Sequence, residues 1–370
     1  MMHLKYLVSL TVGLVVAGGS VQAHEGHDYA PTKPAVVPLP SEAEKKGPVR
    51  VKALKEKPEQ VSGQGYWTFT AARDLVPVPD EAKPHVKGAH GTVVVDPKSM
   101  TLFWGLQKVG WIAFTEKLQK SAVIKGDAAF ASGNLHGADL LPRRGQLPLI
   151  VAADDSENEV YVSDTSFAKA EKLAWPQGSL YSAKNQFHPT DAAFVDANTI
   201  FITDGYGKAF VISATREPLA YSGGFIGGKE MSQTPHGITY LEKNNSLLIS
   251  ARPEGQIKGL KVNRAEWLET LALPEGSTVC DVDIWGDYAL APCLNGPNKT
   301  PGPIYIVNLK TKKIVSVIKP KEELGFTDAQ HIHDACWYIQ KNGLKTEVYV
   351  VFTNWNPGGI GALKLVNFTK

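Results

Sequence analysis

The 370-residue chain reads as an all-β protein, a six-bladed β-propeller, on three observations. A strand-opening motif returns six times, the spacing between returns fits one four-stranded blade, and helical periodicity is scarce outside short stretches such as Arg264 to Glu269. The openings are Ala89-His90-Gly91, Leu135-His136-Gly137, Pro189-Thr190-Asp191, Pro235-His236-Gly237, Val279-Cys280-Asp281 and Ile332-His333-Asp334, at intervals of 46, 54, 46, 44 and 53 residues. Blade repeats run to about 40–50 residues.

Within a unit the strands can be read one by one. In the third, Ala192 to Val195, Thr199 to Ile202, Ala209 to Ile212 and Leu219 to Tyr221 are short β-rich runs parted by Asp, Asn and Gly turns. Gly91 to Val95, Thr101 to Trp104, Trp111 to Phe114 and Ala122 to Ile124 repeat the pattern in the first, as do Ser246 to Ile249 and Ile257 to Val262 in the fourth. The sixth has room for only three strands, His331 to Tyr338, Glu347 to Phe352 and Ala362 to Val366. A ring of blades leaves exposed edges unless it closes, so the alternating run near 65–71 is expected to supply the missing strand. The propeller then spans residues 62–370.

The segments before it carry other signals. Lys5, an apolar run from Tyr6 to Val16 and Val21-Gln22-Ala23 form the pattern of a secretory signal peptide over residues 1–23, which implies an exported, periplasmic or secreted, chain. That run is shorter than the ~20 residues a bilayer span needs, and no later run is longer and apolar. Residues 24–61, rich in Pro and Lys, read as a flexible linker, with His24-Glu25-Gly26-His27-Asp28 either a terminal metal-binding group or a plain polar end. Losing Lys5 takes the net charge from +2 to +1, which gives no electrostatic basis for binding nucleic acid or an acidic membrane. A monomer with a small-molecule or peptide substrate in its central channel is the expected state.

Two lesser motifs carry little. Gly223 to Lys229 imitates a phosphate loop, but Glu230 stands where a magnesium-binding Ser or Thr belongs, so a glycine-rich blade connection is expected. Asn244-Asn245-Ser246, Asn298-Lys299-Thr300 and Asn367-Phe368-Thr369 match the glycosylation triplet.

Several of these residues give the chain a local resemblance to the NHL-repeat six-bladed propellers, and among them to the catalytic core of peptidylglycine α-hydroxyglycine α-amidating lyase. His188-Pro189-Thr190-Asp191 followed by Ile202-Thr203-Asp204-Gly205-Tyr206-Gly207 resembles that lyase's third blade, and Pro235-His236-Gly237-Ile238 followed by Ile249-Ser250-Ala251-Arg252 its fourth. The resemblance covers roughly half the chain by motif. It implies zinc on His136, His236 and His333, a structural calcium on Asp334, Tyr206 as the active-site base and Arg252 as a substrate contact. Three positions depart from it: no arginine falls near Trp104-Gly105-Leu106, Gly207 replaces a cysteine, and Cys280 opens blade five.

The residues themselves permit this chemistry. Three imidazoles on alternate blades in one register suit a zinc-class ion with an open fourth position, the ion lowers the pKa of a neighbouring phenol, and an arginine pins a carboxylate with two hydrogen bonds. Such a set can act as a lyase on a carbinolamide, releasing glyoxylate. The alternative is a non-catalytic propeller with a structural axial metal that recognises a peptide or protein. His90 is either a fourth ligand or a polar lining of the channel, and His331 and His333 compete for one role. Counting outward from a Gly286-Asp287 hairpin pairs Cys280 with Cys293 as a cross-strand disulfide, with a Cys280 metal ligand as the other reading.

Overall fold

Val93 and Val94 are neighbours in sequence and belong to different cores: the first packs with Tyr338 and Val351, the second with Leu135 and Ile150. Successive strand residues leave opposite faces of the sheet, and here both faces are covered. The same alternation carries around the molecule. Ile200 and Ile202 pack with Val151 and Val160, while Phe201 packs with Leu247 and Ile249. Leu248 joins Ala289 and Val307, and Leu290 and Ile304 join Trp67 and Val350, which completes a circuit of six apolar clusters, one between each pair of adjacent sheets.

The computed structural model describes residues 44–51, 53, 54, 58–228 and 232–368. The expected signal segment, His24 to Asp28 and Lys229 lie outside them. The described residues fall in one unit that runs from Pro31 to Lys370. Six antiparallel sheets of four or five strands follow in sequence, over residues 93–123, 135–173, 191–227, 235–272, 283–318 and 332–365, and they form the six blades. Four begin within the motif that predicted them, and blades one and five begin two residues after theirs, at Val93 and Asp283.

The sixth blade is closed from the other end of the chain. Trp67–Ala71 pairs antiparallel with Gly359–Leu365, setting Phe69 opposite Leu365, and Ser62–Gln64 adds an outer strand. Trp67 is fully buried and touches Tyr288 and Trp337 ring to ring, so the closing strand also fills the seam between blades five and six. Glu44, inside the stretch read as a linker, accepts hydrogen bonds from the Tyr288 hydroxyl at 2.8 Å and Asn308 Nδ2 at 2.7 Å.

Two local expectations are corrected. Arg264 to Glu269 forms no helix: Ala265 takes φ +51°, and Glu266–Trp267 turns back to pair with Leu260 and Lys261. Partners across a strand outweigh weak helical periodicity in so short a run. Gly223 to Gly227 is not a blade connection but part of the outer strand Leu219–Gly227, paired with Phe210–Arg216.

Candidate metal centre

The three histidines named from the sequence occupy one structural position. In blade two the ladder pairs Leu135 with Asp154 and Gly137 with Ala153, leaving His136 as an extra residue. Blade six does the same at His333, between Ile332↔Asn354 and Asp334↔Thr353, and blade four has its shift between Pro235 and Ile238, across His236. A bulge releases its extra residue from the ladder and re-aims the side chain, here toward the ring axis. Gly137 follows from the crowding this creates, since a Cβ there would stand 2.5 Å from both Asp191 Oδ1 and the Thr190 carbonyl.

Blade five carries the same shift, and it overturns the expected disulfide. Trp285 faces Tyr288 across Gly286 as predicted, but Val279, not Cys280, ends opposite Cys293. The extra residue turns Cys280 to the axial cavity, whereas Cys293 packs among Val279, Ala291 and Tyr305. All three cysteines are free and buried.

Around the axis the rings converge. His136 Nε2 lies 3.2 Å from His333 Nε2, and the ring centroids of His136 and His236 are 4.8 Å apart. His236 and His333 are 5.2 Å apart between centroids. His136 Nδ1 donates to the Thr190 carbonyl at 2.8 Å and His236 Nδ1 to the Cys280 carbonyl at 2.7 Å. Those carbonyls accept only, so both rings carry their proton on Nδ1 and present Nε2 lone pairs inward.

Tyr206 enters from the turn after Thr199–Thr203. Asp204 builds that turn, accepting His188 N at 2.7 Å, Lys208 N at 2.6 Å and the Tyr181 hydroxyl at 2.5 Å. Gly205 is required because a Cβ would stand 2.5 Å from the Pro235 carbonyl of the next blade. The Tyr206 hydroxyl then reaches His136 Nε2 at 3.2 Å and His236 Nε2 at 3.0 Å, and accepts from Arg252 Nη1 at 2.7 Å. With the arginine donating, the phenol's own proton goes to an imidazole.

Burial sets the charge states. It holds His236 and His333 well below the usual imidazole pKa, with Arg252 and the neighbouring rings adding to the effect, so both are neutral near pH 7. Burial also raises the Tyr206 phenol by more than Arg252 lowers it. The expected activated phenolate is therefore not supplied by these side chains alone. Cys280 is pushed up to about 12 by burial, which keeps it a thiol.

An axial cavity of about 490 Å³ is lined by His136, His236 and His333 and by five acids, Asp139, Asp283 and the trio Asp191, Asp281 and Asp334. Burial and mutual repulsion raise the pKa of all three carboxyls of the trio, and Asp281 and Asp334 share a hydrogen bond that needs a proton between them. Asp191 also accepts Ile238 N at 2.8 Å, and Asp334 accepts Val93 N at 2.7 Å, each tying its blade to the next.

The structure thus gathers His136, His236, His333, Tyr206 and Arg252 at one place, with Asp334 beside them. His331 is not among them: it stands half-buried against Trp355 at 5.6 Å, because it precedes the ladder that begins at Ile332. Among the described residues, the set whose ring nitrogens all lie within 4.8 Å of one another is His90, His136 and His333, which takes in His90 and leaves out His236, whose Nε2 meets the Tyr206 hydroxyl. The identical His-Gly opening at His90 was the signal for it. Trp355, which stacks on His90 at 5.1 Å and 15°, had none, since it lies outside every motif.

No family model matches the chain, and no curated protein does. Solved structures do resemble it. A chain of the crystal structure of a nidogen/laminin complex is 11% identical with a TM-score of 0.51, over 74% of this chain and 97% of that one. A crystal structure of Sqt1 from Saccharomyces cerevisiae is 11% identical with a TM-score of 0.47, over 85% and 74%. At that identity the nidogen/laminin likeness shows the fold, and this chain is a six-bladed β-propeller.

Proposed function

We propose that this propeller is a metal-dependent lyase of the amidating type, acting on a carbinolamide such as a peptidyl hydroxyglycine and releasing glyoxylate. One observation carries the reading: the Tyr206 hydroxyl lies within hydrogen-bonding reach of His136, His236 and Arg252 at once. The donor set fits zinc or a similar divalent ion, because His136, His236 and His333 are buried, burial keeps His236 and His333 neutral, and His136 and His236 have Nδ1 fixed by carbonyls. When bound, such an ion supplies Lewis acidity and lowers the pKa of hydroxyls beside it.

The side chains supply the rest. Arg252 holds the Tyr206 oxygen, and a guanidinium is the group suited to recognise a substrate carboxylate. The Tyr206 oxygen, once deprotonated, takes the proton of the carbinol hydroxyl. The carbon–oxygen double bond forms as the carbon–nitrogen bond breaks, and the departing nitrogen receives that proton back from the Tyr206 hydroxyl, leaving an amide and glyoxylate. Asp334, with Asp281 and Asp191, supplies carboxylates of the kind that hold calcium, and their raised pKa values are what a cation there relieves. The reading extends to an exported protein, on the strength of Lys5, the apolar run from Tyr6 to Val16 and Val21-Gln22-Ala23.

Metal analysis of the purified protein, followed by a glyoxylate assay on an α-hydroxyglycine peptide, tests it. Bound metal with turnover supports the lyase. Bound metal without turnover supports instead a binding propeller with a structural ion, and no metal overturns both.

A further inference from the structure

Position matters more than proximity in judging His90. It lies just before the first strand of blade one, Val93–Asp96, in the His-Gly motif it shares with His136 and His236, is 7% exposed, and sits between its neighbours on blades six and two. Its ring centroid is 4.9 Å from that of His333 and 5.2 Å from that of His136. His236 borders the same two rings from blade four, across the axis. Four imidazoles around one tetrahedral ion, each nitrogen ~2.0–2.1 Å from it, stand roughly 3.3 Å apart, and the His136–His333 nitrogens are at 3.2 Å already. A flat stack on Trp355 fixes the plane of the His90 ring.

We propose that His90 is the fourth imidazole of this centre and that Trp355 is its positioning residue. The proposal rests on the metal-binding reading above and changes what the site is. A set of four histidines leaves no position on the ion for solvent or substrate, so in the lyase reading the ion would act only through the Tyr206 hydroxyl beside it, and an added anion binds only once a ring is removed. It also puts a histidine, rather than the arginine of the resembling lyases, on the first blade.

Cobalt(II) with azide as the added anion reads this directly. The wild-type protein is expected to give an intense visible spectrum that millimolar azide does not shift. His90→Ala is expected to keep cobalt at an affinity at least tenfold lower and to shift its spectrum with azide, and His90→Gln to behave alike should the alanine variant not fold. Trp355→Ala is expected to weaken cobalt binding by about 10–100-fold, as loss of an outer partner does, with Trp355→Phe restoring most of it. Equal affinity and equal azide response in wild type and both His90 variants overturn the assignment of His90. Trp355→Ala binding cobalt like wild type overturns the role of Trp355. A wild-type protein that binds no cobalt overturns the metal-binding reading along with both.

Discussion

Arg252 meets Tyr206 twice, donating from Nη1 to the hydroxyl at 2.7 Å while its guanidinium carbon lies 5.0 Å from the ring centroid. One cation thus fixes both the oxygen and the plane of the phenol. Tyr206→Phe removes the oxygen and keeps the ring, so the fold is expected to be unchanged and glyoxylate release to fall ~100-fold or more. Turnover that survives the change assigns the base to another group.

The carboxylate of Asp139 accepts Phe194 N at 2.8 Å and Leu140 N at 2.7 Å, joining blade two to blade three. Asp139→Ala leaves both N–H groups without that acceptor and is expected to cost about 1–3 kcal/mol in urea unfolding. Asp139→Asn keeps one acceptor oxygen and is expected to cost less.

Trp67 has no exposed surface and sits where the closing strand meets blades five and six. Trp67→Ala is expected to cost about 3–5 kcal/mol, measured as a lower urea midpoint, whereas Thr68→Ala on the same strand, where Thr68 only caps a local turn, is expected to cost under ~1 kcal/mol. Equal losses would place the closing strand outside the core.

Burial raises the Asp283 carboxyl from 3.8 to about 7, although it accepts Trp337 N and Ile284 N. The folded protein holds this proton more tightly than the unfolded chain. Its contribution is therefore fully present below pH ~4 and lost as pH rises through about 7. His236 and His333 act in the opposite sense, with pKa values depressed by burial, and cost stability as pH falls below 6.5. Asp283→Asn isolates the first effect: the variant is expected to gain on wild type between pH 5 and pH 8 by on the order of 2 kcal/mol, read from Tm. That is less than ~1.4 kcal/mol per pKa unit would sum to, because Asp283 lines the axial cavity and is only half-buried.

Thiol counting checks the register of blade five. Three free thiols are expected in denaturant without reductant, and almost none reactive in the folded protein, because Cys280, Cys293 and Cys336 are all buried. A single thiol in denaturant would restore the Cys280–Cys293 bridge.

The blade count, the opening of each blade and the closing strand were legible because each follows from a repeated pattern or an unfilled edge. The convergence of His136, His236 and His333 was legible from their common register. What was not legible depends on single-residue slips. The bulge at Cys280 leaves no mark in composition, yet it swaps a cysteine from the core to the axis. Trp355 and Glu44 escaped for a different reason: each acts through contacts with residues remote in sequence, His90 for one and Tyr288 and Asn308 for the other.

The pairing of Trp67–Ala71 with Gly359–Leu365 bears on how the protein is made. The ribosome produces the first partner nearly three hundred residues before the second, a delay of roughly 15–60 s at ordinary elongation speeds. For that time an apolar strand waits without its mate, open to mispairing, and His333 has yet to be synthesised. The gathering of the imidazoles therefore belongs to the final moments of biosynthesis, and a nascent chain released early carries the parts of the centre without the centre.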